Sequence, residues 1–248
     1  MRALLITPFL LTACESPGDS GPQKIALLET HLISKNNITL TVLTFDRRTT
    51  FLTVADKDGG PNSSWQSAQA AAKAHDGVAA INGGFFNPQG KPLGLVIENG
   101  KRFGGLTQNS LGAGIFTDSP PSLISRSDFK KSKKKPNHLL QSGPTLIWKG
   151  SLTKGLKKSN SRPRSFLLWD GKNHLALGHA GPTSLKGLAE ALNTQPIPNF
   201  NITHALNLDG GSSSDLWVSP KIKGGGIEQR SWLNKPVRNY LILSTLDD

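Results

Sequence analysis

The chain has 248 residues, 36% of them hydrophobic, with 26 glycines and 16 prolines. That balance suits one globular domain rich in strands and turns, and it excludes a helical bundle or a disordered tail. A single cysteine rules out an intramolecular disulfide, and a net charge of +12 favours anionic partners such as phosphates or lipid headgroups. With one tyrosine and no stacking-platform pattern, nucleic acid is not among the expected partners.

In chain order, residues 1–13 carry one arginine and then an apolar run too short to span a bilayer, the layout of a secretory signal. The run ends in Leu11-Thr12-Ala13-Cys14, which resembles the lipobox of bacterial lipoproteins. That resemblance implies lipidation at Cys14, a flexible tether over 14–24, and a membrane-anchored location in a bacterial cell envelope. The folded domain is expected over 25–248.

From Ile25 the pattern is strand-like, most clearly over Ile38–Phe45. A helix is predicted over Trp65–His75, capped by Asn62, Ser63 or Ser64, and a short buried strand over Gly77–Ile81. Strands are expected at Leu93–Glu98, Ala113–Thr117, Thr145–Trp148, Ser165–Trp169 and Leu175–Leu177. The lysine-rich tract 128–137 reads as a charged exposed loop. A second helix is predicted over Thr183–Leu192, capped by Thr183 or Ser184, followed by strands at His204–Leu208, Asp215–Val218 and Asn239–Leu243. The fold class is α/β (α+β): a mixed β-sheet with flanking helices, in a single domain.

Two of these strand ends share one grammar. Val78-Ala-Ala-Ile81 runs into Asn82-Gly83-Gly84-Phe85-Phe86, and Ala205-Leu-Asn-Leu208 runs into Asp209-Gly210-Gly211-Ser212-Ser213. In α/β sheets ligands bind beyond strand ends. A glycine pair there permits positive φ and the approach of a ligand to backbone N–H groups, which suit phosphate or sugar oxygens. Asp209 adds a titratable carboxylate and Asn82 an uncharged donor and acceptor. Taken singly, each is equally a tight turn.

The ordered set Asn82-Gly-Gly-Phe-Phe86, Lys91-Pro-Leu-Gly-Leu95, Gln141-Ser-Gly-Pro144, Arg164-Ser-Phe-Leu, Leu208-Asp-Gly-Gly-Ser-Ser213 and Pro236-Val-Arg-Asn239 resembles the phosphodiester glycosidase family. The likeness spans most of the chain from about residue 25. It implies an α/β fold and cleavage of a sugar–phosphate linkage at the anomeric carbon. It places Asn82, Gly83, Gly84, Ser142, Gly143, Arg164, Asp209, Gly210 and Gly211 in or near the pocket, with Ser212 and Ser213 beside them as substrate-binding candidates. The chain departs from the family pattern at Ser212, where a third glycine is frequent, at Ser165, where threonine is, and at Lys235, where arginine is.

Other constellations are weaker. Gly211-Ser-Ser-Ser-Asp215 is not the G-x-S-x-G elbow of serine hydrolases. The histidines lack zinc-site spacing, so no metal and no cofactor are expected. Glycosidic cleavage ordinarily uses two carboxyl groups. Asp209 is therefore read as the acid/base and Arg164, whose fork matches phosphate oxygens, as the clamp. Glu98, with Glu228 behind it, is the candidate second carboxylate. The expected function is hydrolysis of a glycosyl phosphodiester or related envelope glycan linkage by a tethered domain. The alternative is a non-catalytic glycan- or phosphate-binding lipoprotein, favoured if Asp209 stands alone against backbone donors.

Overall fold

The structure, a computed structural model, describes residues 28–35, 37–118, 120–133, 135–194 and 196–246. The expected signal and the lipidation site at Cys14 lie outside the described residues.

The chain opens with β1 (Leu28–Lys35), β2 (Ile38–Asp46) and β3 (Thr50–Asp56), then helix α1 (Ala68–Ala74) and β4 (Ala79–Asn82). Next come β5 (Val96–Glu98), β6 (Lys101–Phe103), β7 (Gly114–Asp118), β8 (Pro121–Ser125), α2 (Arg126–Lys131), β9 (Leu139–Ser142), β10 (Thr145–Trp148) and β11 (Ser151–Leu152). The last third holds β12 (Arg162–Trp169), β13 (His174–Thr183), α3 (Leu185–Thr194), β14 (His204–Asn207), β15 (Asp215–Val218), β16 (Ile227–Arg230) and β17 (Asn239–Thr245).

The strands form a seven-stranded sheet, β1-β2-β13-β12-β14-β10-β11, and two five-stranded sheets, β16-β15-β4-β17-β3 and β6-β5-β9-β7-β8. The α/β character expected from sequence is present, with strands dominant. The named ladders run antiparallel, so the crossover logic of parallel sheets does not apply here. Leu43, Phe45, Leu167 and Leu177 of the large sheet pack against Val54, Ile81, Leu216 and Leu241 of the second and Val96, Phe116 and Leu140 of the third. The outer face of the large sheet is covered by α3 through Leu188 and Leu192, and that of the second sheet by α1 through Ala68, Ala71 and Ala72. Burial on both faces explains why β2 is apolar or threonine at nearly every position.

Several boundaries differ from expectation for local reasons. Helix α1 starts three residues late because Ser67 is its cap, its side chain accepting from Ala70 N. Ser184 caps α3, accepting from Gly187 N, so the helix begins at Leu185 and not at Thr183. The lysine tract is partly helical: Ser125 caps α2 and Lys130 and Lys131 occupy its last turn, where cations complement the helix dipole. Strand β13 is far longer than its apolar centre because Gly178 and His179 pair within it without contributing to the hydrophobic signal, and Gly181 lies at the register shift before Thr183.

Candidate active site

The two strand ends with the same grammar meet. Strand β4 belongs to the second sheet and β14 to the large one, yet the Asp209 N–H donates to the Gly83 carbonyl at 3.0 Å. In return the Asn82 amide donates through Nδ2 to the Asp209 carbonyl at 2.8 Å. The same side chain's Oδ1 accepts from the Ser165 hydroxyl at 2.6 Å and from the Asp215 N–H at 3.0 Å. Asn82 is fully buried, so it ties both sheets together and positions Asp209 without reaching a ligand.

The glycine pairs serve different purposes from those expected. A Cβ on Gly83 would lie 2.2 Å from Asn239 Oδ1, and one on Gly84 3.2 Å from the Gln141 carbonyl. Their N–H groups are also taken, Gly83 by the Asn239 carbonyl and Gly84 by the Asn239 side chain. These glycines are dictated by close packing; neither has positive φ. In the second motif only Gly211 does, at 67°.

Gln141-Ser142-Gly143-Pro144 is scaffold. The Gln141 amide accepts from Leu95 N and Thr107 N and donates to the Thr107 and Gly112 carbonyls, joining three loops. Ser142 donates to the Asn207 carbonyl, and a Cβ on Gly143 would strike the Ser110 carbonyl at 2.2 Å. The Pro236–Asn239 stretch is scaffold too: Arg238 is buried, pairs with Asp56 and donates to the Gly90 carbonyl, fixing the loop over the site.

Two cavities flank the segment Asn207–Gly211. One, about 730 Å³, is lined by Asp209, Ser212, Ser213, Lys235, Phe86 and the polar loops Asn62 and Asn87–Gly90. Among the described residues Asp209 is its one carboxylate. The residue keeps a partly exposed edge, but desolvation dominates and pushes its pKa up to about 6, opposed by hydrogen bonds from Ser213 and Gly210 N and by the charge of Arg162. The other cavity, about 400 Å³, is lined by Arg162, Arg164, Lys154 and Lys157 with Phe85, Leu111, Pro144 and Leu156, and among the described residues no acid lines it.

Arg164 is buried and holds itself by donating to the Thr183 and Asn160 carbonyls at 3.0 and 2.7 Å. Among the described residues it has no carboxylate partner, and burial together with Arg162 lowers its pKa. A Cβ on Gly210 would lie 3.7 Å from Arg164 Nη1, and one on Gly211 3.9 Å from Arg162 Nη1. The glycine pair is thus the thin wall between the carboxylate and the two guanidinium groups. Such a site can hold an anion on one side while a proton is exchanged on the other.

Glu98 does not join this site. Its pKa is raised by burial beside Asp56, Asp58 and Lys101, and it lines neither cavity. Glu228 acts on Asp215, whose carboxylate is buried against Arg230 and Ala68 N. Arg162 and Asn207 were missed. Arg162 stands two residues before Arg164, and on a strand that spacing places both side chains on one face. Asn207 lines the basic cavity with its Oδ1 unpaired, a property of the tertiary structure that apolar neighbours conceal in the sequence.

A family model for phosphodiester glycosidases matches residues 75–244. The zebrafish N-acetylglucosamine-1-phosphodiester alpha-N-acetylglucosaminidase catalytic domain, auto-inhibited by its pro-peptide, shares the fold with a TM-score of 0.62 and 18% identity, over 90% of this chain and 85% of that one. A Synechocystis protein matches with a TM-score of 0.60 and 15% identity, over 88% of this chain and 61% of its own. An exported protein of Burkholderia pseudomallei K96243 matches at 0.53 and 12%, over 84% and 74%. No curated protein matches by sequence. With two thirds of its length under one family model, the chain belongs to the phosphodiester glycosidase family.

Proposed function

We propose that the chain hydrolyses a glycosyl phosphodiester, with the sugar in the Asp209 cavity and the phosphate on Arg162 and Arg164. The observation that carries this reading is a carboxylate, its pKa pushed up by burial, across a two-glycine wall from a buried arginine that has no carboxylate partner among the described residues. Above that pKa the Asp209 carboxylate accepts a proton from water as the water oxygen bonds to the anomeric carbon. The electron pair of the breaking carbon–oxygen bond leaves on the phosphate, whose second negative charge the guanidinium groups stabilise. A phosphate leaving group needs no protonation, so a single carboxylate suffices where ordinary glycosidases use two. Phe86, Asn62, Asn87 and Gln89 supply the apolar face and amide groups that sugar rings need.

The solitary carboxylate is also what favours the second reading, a module that binds such a diester without turnover. Incubating the purified domain with sugar-1-phosphodiesters and assaying both free sugar and phosphomonoester decides between them. Release of both, lost in Asp209→Asn, supports hydrolysis; tight binding with no release supports the module.

The proposal extends to location: Cys14 tethers the domain to a bacterial membrane, where envelope glycans are the available substrates. Wild-type protein in the membrane fraction, labelled by a palmitate analogue, with Cys14→Ser soluble and unlabelled, is the expected outcome. Wild-type protein already soluble and unlabelled would remove the tether.

A further inference from the structure

The basic cavity carries more positive charge than the proposed reaction requires. One phosphodiester bears one negative charge, and a single arginine matches its two free oxygens. Four cations line this space, Arg162, Arg164, Lys154 and Lys157, and among the described residues no acid lines it. Lys154, Lys157 and Arg162 have no ion pair among the described residues. Surface lysines in a chain of net charge +12 ordinarily sit in water with nothing to bind. These differ in location: they converge on a concave space of about 400 Å³ whose depth is a buried arginine and whose walls include Phe85, Leu111, Pro144, Leu156 and Leu185. Lys154, Lys157 and Asn160 lie on one connecting segment, 153–161, between β11 and β12. That segment is anchored at both ends: Thr153 N donates to the Leu146 carbonyl, and the Asn160 carbonyl accepts from Arg164. The backbone that carries the lysines is therefore fixed beside the cavity, with both side chains exposed at its mouth.

We propose that the leaving side of the substrate carries a second anionic group, one phosphate beyond the scissile one, and that Lys154 and Lys157 form its subsite. The inference rests on the reading of Arg162 and Arg164 as the scissile-phosphate clamp. It names the substrate class as a sugar-1-phosphodiester whose alcohol component is itself phosphorylated or pyrophosphate-linked. The same geometry gives a direction: the sugar occupies the Asp209 cavity, and the charged product departs through the basic one.

Binding, which needs no turnover, tests this separately from catalysis. Titrate the wild-type domain with inorganic phosphate, pyrophosphate and 1,3-propanediol bisphosphate by calorimetry at low and physiological salt. Pyrophosphate presents adjacent charges and the bisphosphate spaced ones, so the tighter of the two identifies the linkage. At least one should bind about tenfold more tightly than phosphate, as two added charge contacts allow. Lys154→Gln/Lys157→Gln should bring all three to the affinity of phosphate. The double variant Lys130→Gln/Lys131→Gln removes the same charge from exposed positions on α2 and should leave the ratios unchanged. Equal affinity for all three anions in the wild type overturns the subsite. So does an equal loss in both double variants, which would make the preference a matter of net charge. If the ratios hold while Asp209→Asn leaves turnover intact, the subsite stands and the catalytic assignment falls.

Discussion

Asn82-Gly83-Gly84 and Asp209-Gly210-Gly211 are written alike and used in opposite ways. The first motif is sealed: its side chain is fully buried, all of its amide bonds stay within the protein, and Asn239 leaves no room for a Cβ on Gly83. The second faces outward, presenting a desolvated carboxylate to one cavity and, through Gly210 and Gly211, backbone without side chains beside two arginines. The lesson is that a polar residue followed by two glycines at a strand end marks close approach of something. Whether that is a neighbouring chain segment or a ligand depends on what lies opposite.

Exchanging the polar residues breaks the comparison most sharply. Asp209→Asn should cut turnover by roughly 10²–10⁴-fold, measured as product release per folded molecule. The same change should raise the melting temperature at pH 7. Burial raises the Asp209 pKa from 3.8 to about 6, so the folded chain binds this proton more tightly than the unfolded one. Stabilisation from the group is complete below about pH 4 and is lost as the pH rises through about 6, a difference on the order of 3 kcal/mol. Removing the charge removes that penalty at neutral pH; a lower melting temperature there would show that Asp209 is a structural turn.

The reciprocal change, Asn82→Asp, should do the reverse. It puts a charge with no cation partner at a fully buried position and deletes the donor to the Asp209 carbonyl, costing about 3 kcal/mol or more in urea unfolding. A near-neutral result would mean the junction between the sheets is looser than its hydrogen bonds imply. A methyl group probes the glycines more gently. Gly83→Ala should cost roughly 1–3 kcal/mol through overpacking against Asn239. Gly210→Ala, whose nearest neighbour is the Pro163 carbonyl at 3.1 Å, should cost less than Gly83→Ala and show itself in weaker phosphate binding. Equal destabilisation would erase the distinction.

The smallest effect sharpens the picture of the outward motif. Ser213 lowers the Asp209 pKa by hydrogen bonding, so Ser213→Ala should move the acidic limb of the pH–rate profile to higher pH by a fraction of a unit. An unmoved limb would mean that the limb reports another group.

Much of this was legible in the sequence because it depends on local rules. The strand runs, the alanine-rich helix and the paired strand-end motifs follow from periodicity and turn chemistry, and Asp209 was identifiable as a carboxylate placed where a strand stops. What could not be read was which partner each motif meets. Glu98 looked as good as any second carboxylate until its surroundings proved to be Asp56, Asp58 and Lys101. Strand β13 was visible only at its apolar centre, since glycine and histidine give no alternation signal. The buried role of Asn82 depends on Ser165 and Asp215, remote in sequence and carried by other strands.

The bond from Asn82 to Asp209 spans 127 positions of chain and joins two different sheets. The carboxylate and the guanidinium groups stand at the ends of β14 and β12, neighbours in the large sheet, but Phe85 and Leu111, which wall the basic cavity, come from segments beside β4 and β7 of the other two sheets, so the cavity is complete only once the sheets dock. Long-range antiparallel pairings of this kind are the slow part of chain collapse. During refolding, far-ultraviolet circular dichroism should therefore return before the capacity to bind phosphate, making ligand capture a clock for the last event of assembly.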